Sequence, residues 1–311
     1  MAEIRTGTCS WTDRTLLESK TFYPPGLKSA EDRLKFYAQH FNTVEVDSTF
    51  YALPARRNAE LWAERTPPDF IFHIKAFGLL TQHTVEVARL PRLLREMLPP
   101  DKRELRLLKD PPAEIRDLAF QMFAEALLPL YESGKLGVVL FQFPPFFVPR
   151  QESLNYIEQC QKMLAHYPLA IEFRHRRWVD EQHLKETLSF LKERDLAFVC
   201  VDEPQFDDST MPPLAEATSD ISYIRFHGRN KENWFKKGIT TAERFKYLYS
   251  QEELLGWLPD IEKVARRSRK TFIMFNNCYQ DYAIRNASQL ALMMRDLEHY
   301  LRRRETQLRS P

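Results

Sequence analysis

The sequence predicts an α/β fold, a single-domain parallel barrel of the TIM, or (β/α)8, type. Two observations carry the prediction. Eight short apolar runs, rich in Val, Ile and Phe, recur along the chain, and most of the intervals between them hold amphipathic segments of helical period. Strands alternating with helices build a parallel sheet, and eight strands is the number that closes a ring. An open doubly wound sheet is the alternative with the same rhythm.

In chain order the strand-like runs are Ile4–Cys9, Thr43–Asp47, Phe70–Lys75, Leu136–Phe143, Leu169–Arg174, Leu196–Val201, Ile221–His227 and Thr271–Asn276. Between and after them, Ala30–Phe41, Arg57–Arg65, Ala113–Tyr131, Gln151–His166, Asp180–Arg194, Gln251–Arg267 and Ala287–Arg303 repeat apolar residues at i, i+3/i+4, as a helix facing a core does. Pro212 and Pro213 argue against a long helix in 204–220. Residues 77–112 exceed what a minimal barrel needs. They are charged, punctuated by Pro99–Pro100 and Pro111–Pro112, and follow a strand, so they are expected to form a lid or wall at the mouth. The basic tail, 302–311, is expected to fray.

Composition narrows the function. The 311 residues are 43% hydrophobic and 28% charged, with a net charge of +2, the balance of a globular protein without a dedicated polyanion-binding character. Only 8 residues are Gly, none in a GxGxxG or GxxxxGK[ST] spacing, which removes the Gly-rich phosphate cradles. Four separated cysteines (Cys9, Cys160, Cys200, Cys278) read as free thiols in a reducing compartment. With no signal-like N-terminus and no apolar run of membrane length, the expected setting is cytoplasmic, with no membrane partner.

Chemistry is expected where the strands become too polar. Alternate strand residues face the interior. In Val44-Glu45-Val46-Asp47 the valines suit the helix side, which sends Glu45 and Asp47 inward. The same parity turns His73 and Lys75, Glu172 and Arg174, and Arg225 and His227 toward the barrel axis. Gln142, Asp202 and Asn277 end their own strands and join the set on weaker grounds. Barrel interiors are ordinarily aliphatic, and an unpaired buried charge costs several kcal/mol, so such a stack is either mutually paired or useful. All of these groups sit at C-terminal strand ends, where barrel enzymes place their sites.

Several chemistries fit. Lys75, Arg174, Arg225, Arg229 and His227 suit a phosphate or carboxylate. Glu45 and Glu172 suit general acid/base work, since a crowded carboxyl has a raised pKa. Glu45, Glu172, Asp202 and His227, with His73, form a possible metal set of the kind endonuclease IV-like barrels use, opposed by the interspersed cations. Cys9 and Cys278 end neighbouring strands but read as inert packing thiols. Trp11, Tyr51 and Trp178 follow polar strand ends and are expected to wall the pocket.

Motif by motif, the chain resembles the YecE-like family, known as domain of unknown function 72. The matching stretches are GTCSW, FNTVEVDSTFY, FIFHIKA, LGVVLFQFPP, AIEFRHRRW, YIRFHGRN and FNNCYQDYAIRNA, in the family's order and spanning nearly the whole chain. The resemblance implies a TIM-type barrel and assigns no activity. The family's Thr-His pair after the third strand reads Gln82-His83 here.

The functional expectation is therefore an acid/base enzyme, a hydrolase or a lyase/isomerase, acting on a small polar anionic substrate without a cofactor. Glu45, Glu172, Lys75 and His227 are the expected catalytic groups. Asp47, Gln142, Arg174, Arg225, Arg229, Asn277, Trp11, Tyr51 and Trp178 are expected to bind substrate. The alternatives are a non-catalytic protein binding nucleic acid or a phosphorylated metabolite, and a metal-dependent phosphodiesterase. Basic stretches for a nucleic-acid face are Arg174–Arg177, Arg266–Lys270 and Arg302–Arg304.

Overall fold

Eight parallel strands lie side by side in the order first, eighth, seventh, sixth, fifth, fourth, third, second. Their spans are Glu3–Thr8, Thr43–Val46, Ile71–Lys75, Leu136–Gln142, Leu169–Glu172, Ala197–Asp202, Ile221–Phe226 and Lys270–Phe275. This is the expected TIM-type barrel, each strand within two residues of its predicted ends. The structure, a computed structural model, describes residues 3–206 and 209–309, with side chains described as far as Arg295.

Helices cover the outside. Ala30–His40 begins at Ser29, whose hydroxyl accepts the Asp32 N–H, and it buries Leu34 and Tyr37, one turn apart, against the barrel. The expected helix at 180–194 starts only at Leu184, because the Asp180 carboxylate takes the N–H groups of Gln182 and His183 in a turn. The last helix is longer than predicted. It runs Tyr282–Arg309, so the segment expected to fray from 302 continues the helix, and residues 310 and 311 lie outside the described ones.

The ring closes between the first and second strands by an unusual device. Tyr37, fully buried, puts its hydroxyl into the seam, where it accepts the Thr8 N–H at 3.0 Å and donates to the Thr43 carbonyl at 3.2 Å. Gly7 makes the approach possible, since a Cβ there would lie 2.4 Å from the Thr43 carbonyl oxygen. A Tyr37→Phe variant leaves a buried N–H and a buried C=O without that partner, and is expected to lose about 1–3 kcal/mol. A urea midpoint indistinguishable from that of the parent would show the seam to be held by packing alone.

Segment 77–112 forms a wall with a small core of its own. A two-residue antiparallel ribbon, Val85–Glu86 with Leu107–Leu108, and the short helices Arg92–Met97 and Pro100–Arg103 enclose buried Leu90, Leu94, Leu98 and Leu108. Its inner edge stands at the mouth, with Arg89 over the Tyr51 ring and the His83 ring 4.9 Å from that of Phe50.

Candidate functional site

Two layers fill the barrel. The lower one is built on His73, fully buried, whose Nδ1 accepts the Val138 N–H and whose Nε2 meets the Thr43 hydroxyl at 2.9 Å. The third and fourth strands slip register between Phe72 and Ile74, and Gly137 supplies the room, because a Cβ there would lie 2.3 Å from the His73 ring. His73 therefore points inward, as its parity predicts, but it is committed to the frame, between Tyr223 and Phe272.

Arg225 is the hub of the upper layer. Its Nε and Nη2 grip Glu45 at 3.0 and 2.6 Å, while Nη1 reaches across to Glu172 at 2.6 Å. All three side chains are fully buried. Tyr223 adds an O–H donor to Glu45. Burial alone would push both carboxyls up, but Arg225 holds Glu45 below its ordinary range and Glu172 well below it. Both are therefore ionised near neutral pH, which is the wrong state for a proton donor.

Glu172 is saturated. Besides Arg225 it accepts from Gln142 Nε2 at 2.6 Å, Arg174 Nη1 at 3.1 Å and His227 Nε2 at 2.9 Å. His227 Nδ1 accepts from the Asn276 amide, so the neutral ring carries its proton on Nε2. Burial first, and then the Arg225 and Arg174 charges, bring His227 down to about 4 against the pull of Glu172. Arg174 also lies 2.9 Å from Glu203, a buried carboxylate whose Oε2 accepts no hydrogen bond. Burial raises Glu203 to about 7, with Arg174 opposing.

The open side of the cup lies over Asp47, Lys75 and Arg174, whose side chains are 24%, 12% and 16% exposed. Lys75 Nζ stands 3.8 Å from Asp47 Oδ1 and over the Phe50 ring. Oδ1 is buried and has no hydrogen-bond partner. Burial pushes Asp47 up to about 7. Lys75 and Arg225 pull it down, while the neighbouring Glu45 charge and a hydrogen bond shared with it push it up.

Glu45, Asp47, Lys75, Glu172, Arg174, Arg225 and His227 face inward as their parity predicts, and with Gln142 they meet in this cup. The strand-end assignments of Asp202 and Asn277 are off by one residue. Val201 pairs with Arg225 in register, so Glu203 faces in and Asp202 faces out. There Asp202 takes both prongs of Arg229, the Tyr249 hydroxyl and the Trp257 N–H. Arg229, also paired with Glu253, is thus a brace behind the sheet, outside the cup. Asn276 faces in, and Asn277 points outward to Asn286 and the Tyr247 carbonyl. The possible metal set loses its geometry with Asp202, and among the described residues no three His, Cys, Asp or Glu side chains are grouped to hold an ion.

Of the three wall aromatics, only Tyr51 stands exposed at the mouth. Trp178 is fully buried, stacked on Phe173, with its N–H on the Phe147 carbonyl. Trp11 packs against Trp62 and Phe72, in the layer between the barrel and its helices. The rings that do line the cup are Phe50 and Trp234, the latter under the Arg174 guanidinium at 5.1 Å. Cys9 lies 3.6 Å from Arg225, and burial raises its thiol well above the ordinary value, as an inert thiol requires.

These buried groups set a pH dependence of folding. His73, His83 and His227 stay neutral in the fold but charge in the unfolded chain below about 6.5. Asp47 and Glu203 do the reverse, holding protons in the fold that the unfolded chain releases above about 4.5. Between pH 4.5 and 6.5 these five groups gain three protons and lose two on unfolding, and His175, also lowered by partial burial, adds to the gain. Stability should rise with pH by at least about 1.4 kcal/mol per unit, the slope for one proton. Asp47→Asn removes one folded-state proton and should steepen the rise by about one further proton's slope in urea titrations at pH 5 and 6. An unchanged slope would mean that Asp47 is already ionised there.

An eight-stranded parallel barrel with a charge network in the cup at its C-terminal end defines a TIM-type barrel protein. Within that class, the chain belongs to the family described as protein of unknown function DUF72, whose model matches residues 5–309. It is 33% identical over 300 residues to the UPF0759 protein YunF of Bacillus subtilis (strain 168), across 95% of this chain and 96% of the relative. A DUF72 family protein of Thermotoga maritima MSB8 superposes with a TM-score of 0.74 at 32% identity, covering 94% of this chain and 99% of the other. One from Enterococcus faecalis V583 gives 0.73 at 25% identity, covering 95% and 98%. Among the described residues no helix is long and apolar enough to cross a membrane.

Proposed function

We propose that the cup is the active site of an acid/base enzyme, a hydrolase or a lyase/isomerase, acting on a small polar substrate that carries a phosphate or carboxylate. One observation supports this above the others. In a network where Glu45, Glu172 and Arg225 satisfy one another, Asp47 keeps a buried unpartnered oxygen beside Lys75, on the open side. Asp47 is the general acid/base, because a carboxyl near 7 exchanges protons at neutral pH. Lys75, Arg174 and Gln142 receive the anionic group, and a charge developing on the substrate meets the Lys75 ammonium. Glu45, Glu172, Arg225 and His227 are positioning residues that fix these side chains from below, and Tyr51 and Phe50 form the rim.

The test is a screen of phosphorylated and carboxylated sugars and hydroxy acids with the purified protein, followed by Asp47→Asn and Lys75→Met on any substrate found. Loss of kcat in the first variant and a raised KM in the second are the expected pattern. Full turnover in both variants would remove the assignment.

A further inference from the structure

We propose that an oxyanion enters the cup together with one proton, which Asp47 takes up, so that anion binding and protonation are one coupled event. The inference rests on the anion-site reading above and adds its proton linkage.

Charge geometry drives it. Facing the cup are four carboxyls, Glu45 and Asp47 from the second strand, Glu172 from the fifth and Glu203 after the sixth. Against them stand three cations, Lys75 from the third strand, Arg174 after the fifth and Arg225 from the seventh. The remaining titratable neighbours carry no charge. They are Tyr223 and His227 from the seventh strand, His83 from the inserted segment, Cys9 after the first strand and Cys278 after the eighth. Arg225 points its donors at Glu45, Glu172 and Cys9, and Arg174 is shared by Glu172 and Glu203. Lys75 alone of the three has its carboxylate beyond hydrogen-bond range, at 3.8 Å.

With every carboxyl ionised, an incoming anion would meet a cup already one charge negative and would compete with Asp47 for Lys75. Burial makes that costly, since little water screens the repulsion. A proton on Asp47 removes both obstacles. It neutralises the excess charge and frees Lys75 for the ligand. Asp47 already sits near 7 without a ligand, and a neighbouring anion can only move it higher. Glu203 is the competing acceptor, but it lies beneath Arg174, with its side chain fully buried and its Oε1 on the Met211 N–H.

Sulfate is the probe, because its own charge is fixed from pH 5.5 to 8.5. Titration calorimetry in buffers of different ionisation heat should show close to one proton taken up per sulfate at pH 8 and little at pH 6. Affinity should fall about tenfold per pH unit above 7. Asp47→Asn should bind sulfate with neither proton uptake nor pH dependence, while Glu203→Gln keeps both. Binding without uptake, or uptake that survives in Asp47→Asn, overturns the coupling and leaves the anion site standing. Absence of sulfate binding at every pH, or binding undiminished in Lys75→Met, overturns the anion-site reading beneath it.

Discussion

Replacing Arg225 with methionine is expected to destabilise the protein by about 3–5 kcal/mol, the cost of leaving buried charges without their partner. Arg225 is fully buried and makes three charged hydrogen bonds, two to Glu45 and one to Glu172. Methionine matches much of its length and none of its charge, so packing is largely kept. Glu45 retains Tyr223, and Glu172 retains Gln142, Arg174 and His227, which makes Glu45 the more exposed to the loss. The linkage has a definite sign. Without Arg225 the folded-state pKa of Glu45 rises above its unfolded value, so the variant gains stability relative to the parent as pH falls. The deficit measured by urea unfolding should be smaller at pH 5 than at pH 8, and Arg225→Met with Glu45→Gln should recover part of it. A loss below about 1 kcal/mol at pH 8 would mean that water or rearrangement already screens the pair.

Asp47→Asn carries the second large effect, a fall in turnover of about 10²–10⁴-fold on whatever substrate the screen yields, the range associated with removing a general acid or base. Asparagine keeps the shape and the hydrogen-bonding capacity but cannot exchange a proton, so the drop should appear in kcat more than in KM. The rate profile should also lose its limb near pH 7, because the parent group titrates there. Glu45→Gln and Glu172→Gln disturb the frame that holds Arg225 and are expected to lower stability along with rate. By the linkage above, Asp47→Asn should match the parent in urea at acid pH and outlast it at pH 7 and above, where the parent must ionise a buried carboxyl. If all three variants lose rate and stability in proportion, Asp47 is one more member of the ion-pair frame and not the proton carrier.

The barrel was legible because its signal is repeated. Eight runs and the helical segments between them each argue weakly, and together they leave little besides a ring. The site was legible only where a strand alternates. In Val44-Glu45-Val46-Asp47 and Phe72-His73-Ile74-Lys75 the apolar residues fix which way the polar ones turn, and those assignments stand. In the sixth strand every residue from Ala197 to Asp202 is buried, because a parallel barrel strand is covered on both faces. No alternation survives there to say that Glu203, and not Asp202, points inward. Pro204 offered a clue, since a residue before proline stays extended and carries the strand path through Glu203. The eighth strand hides Asn276 in the same way. Trp178 misled for a different reason, since adjacency to a polar strand end does not distinguish a wall from a plug. His83 reaches the mouth by way of the inserted segment, whose path follows from its own small core and not from strand parity.

The Tyr37 seam bears on how the chain comes together. Among the described residues the first strand has its ladder with the eighth, Glu3 through Thr8 opposite Lys270 through Phe275, and meets the second strand through the tyrosine hydroxyl and the Gly7 contact. A ribosome making this protein would finish the first strand long before its ladder partner, the eighth, exists. Until then the ladder edge of the first strand stays open, and the eighth strand is the one that lets it settle.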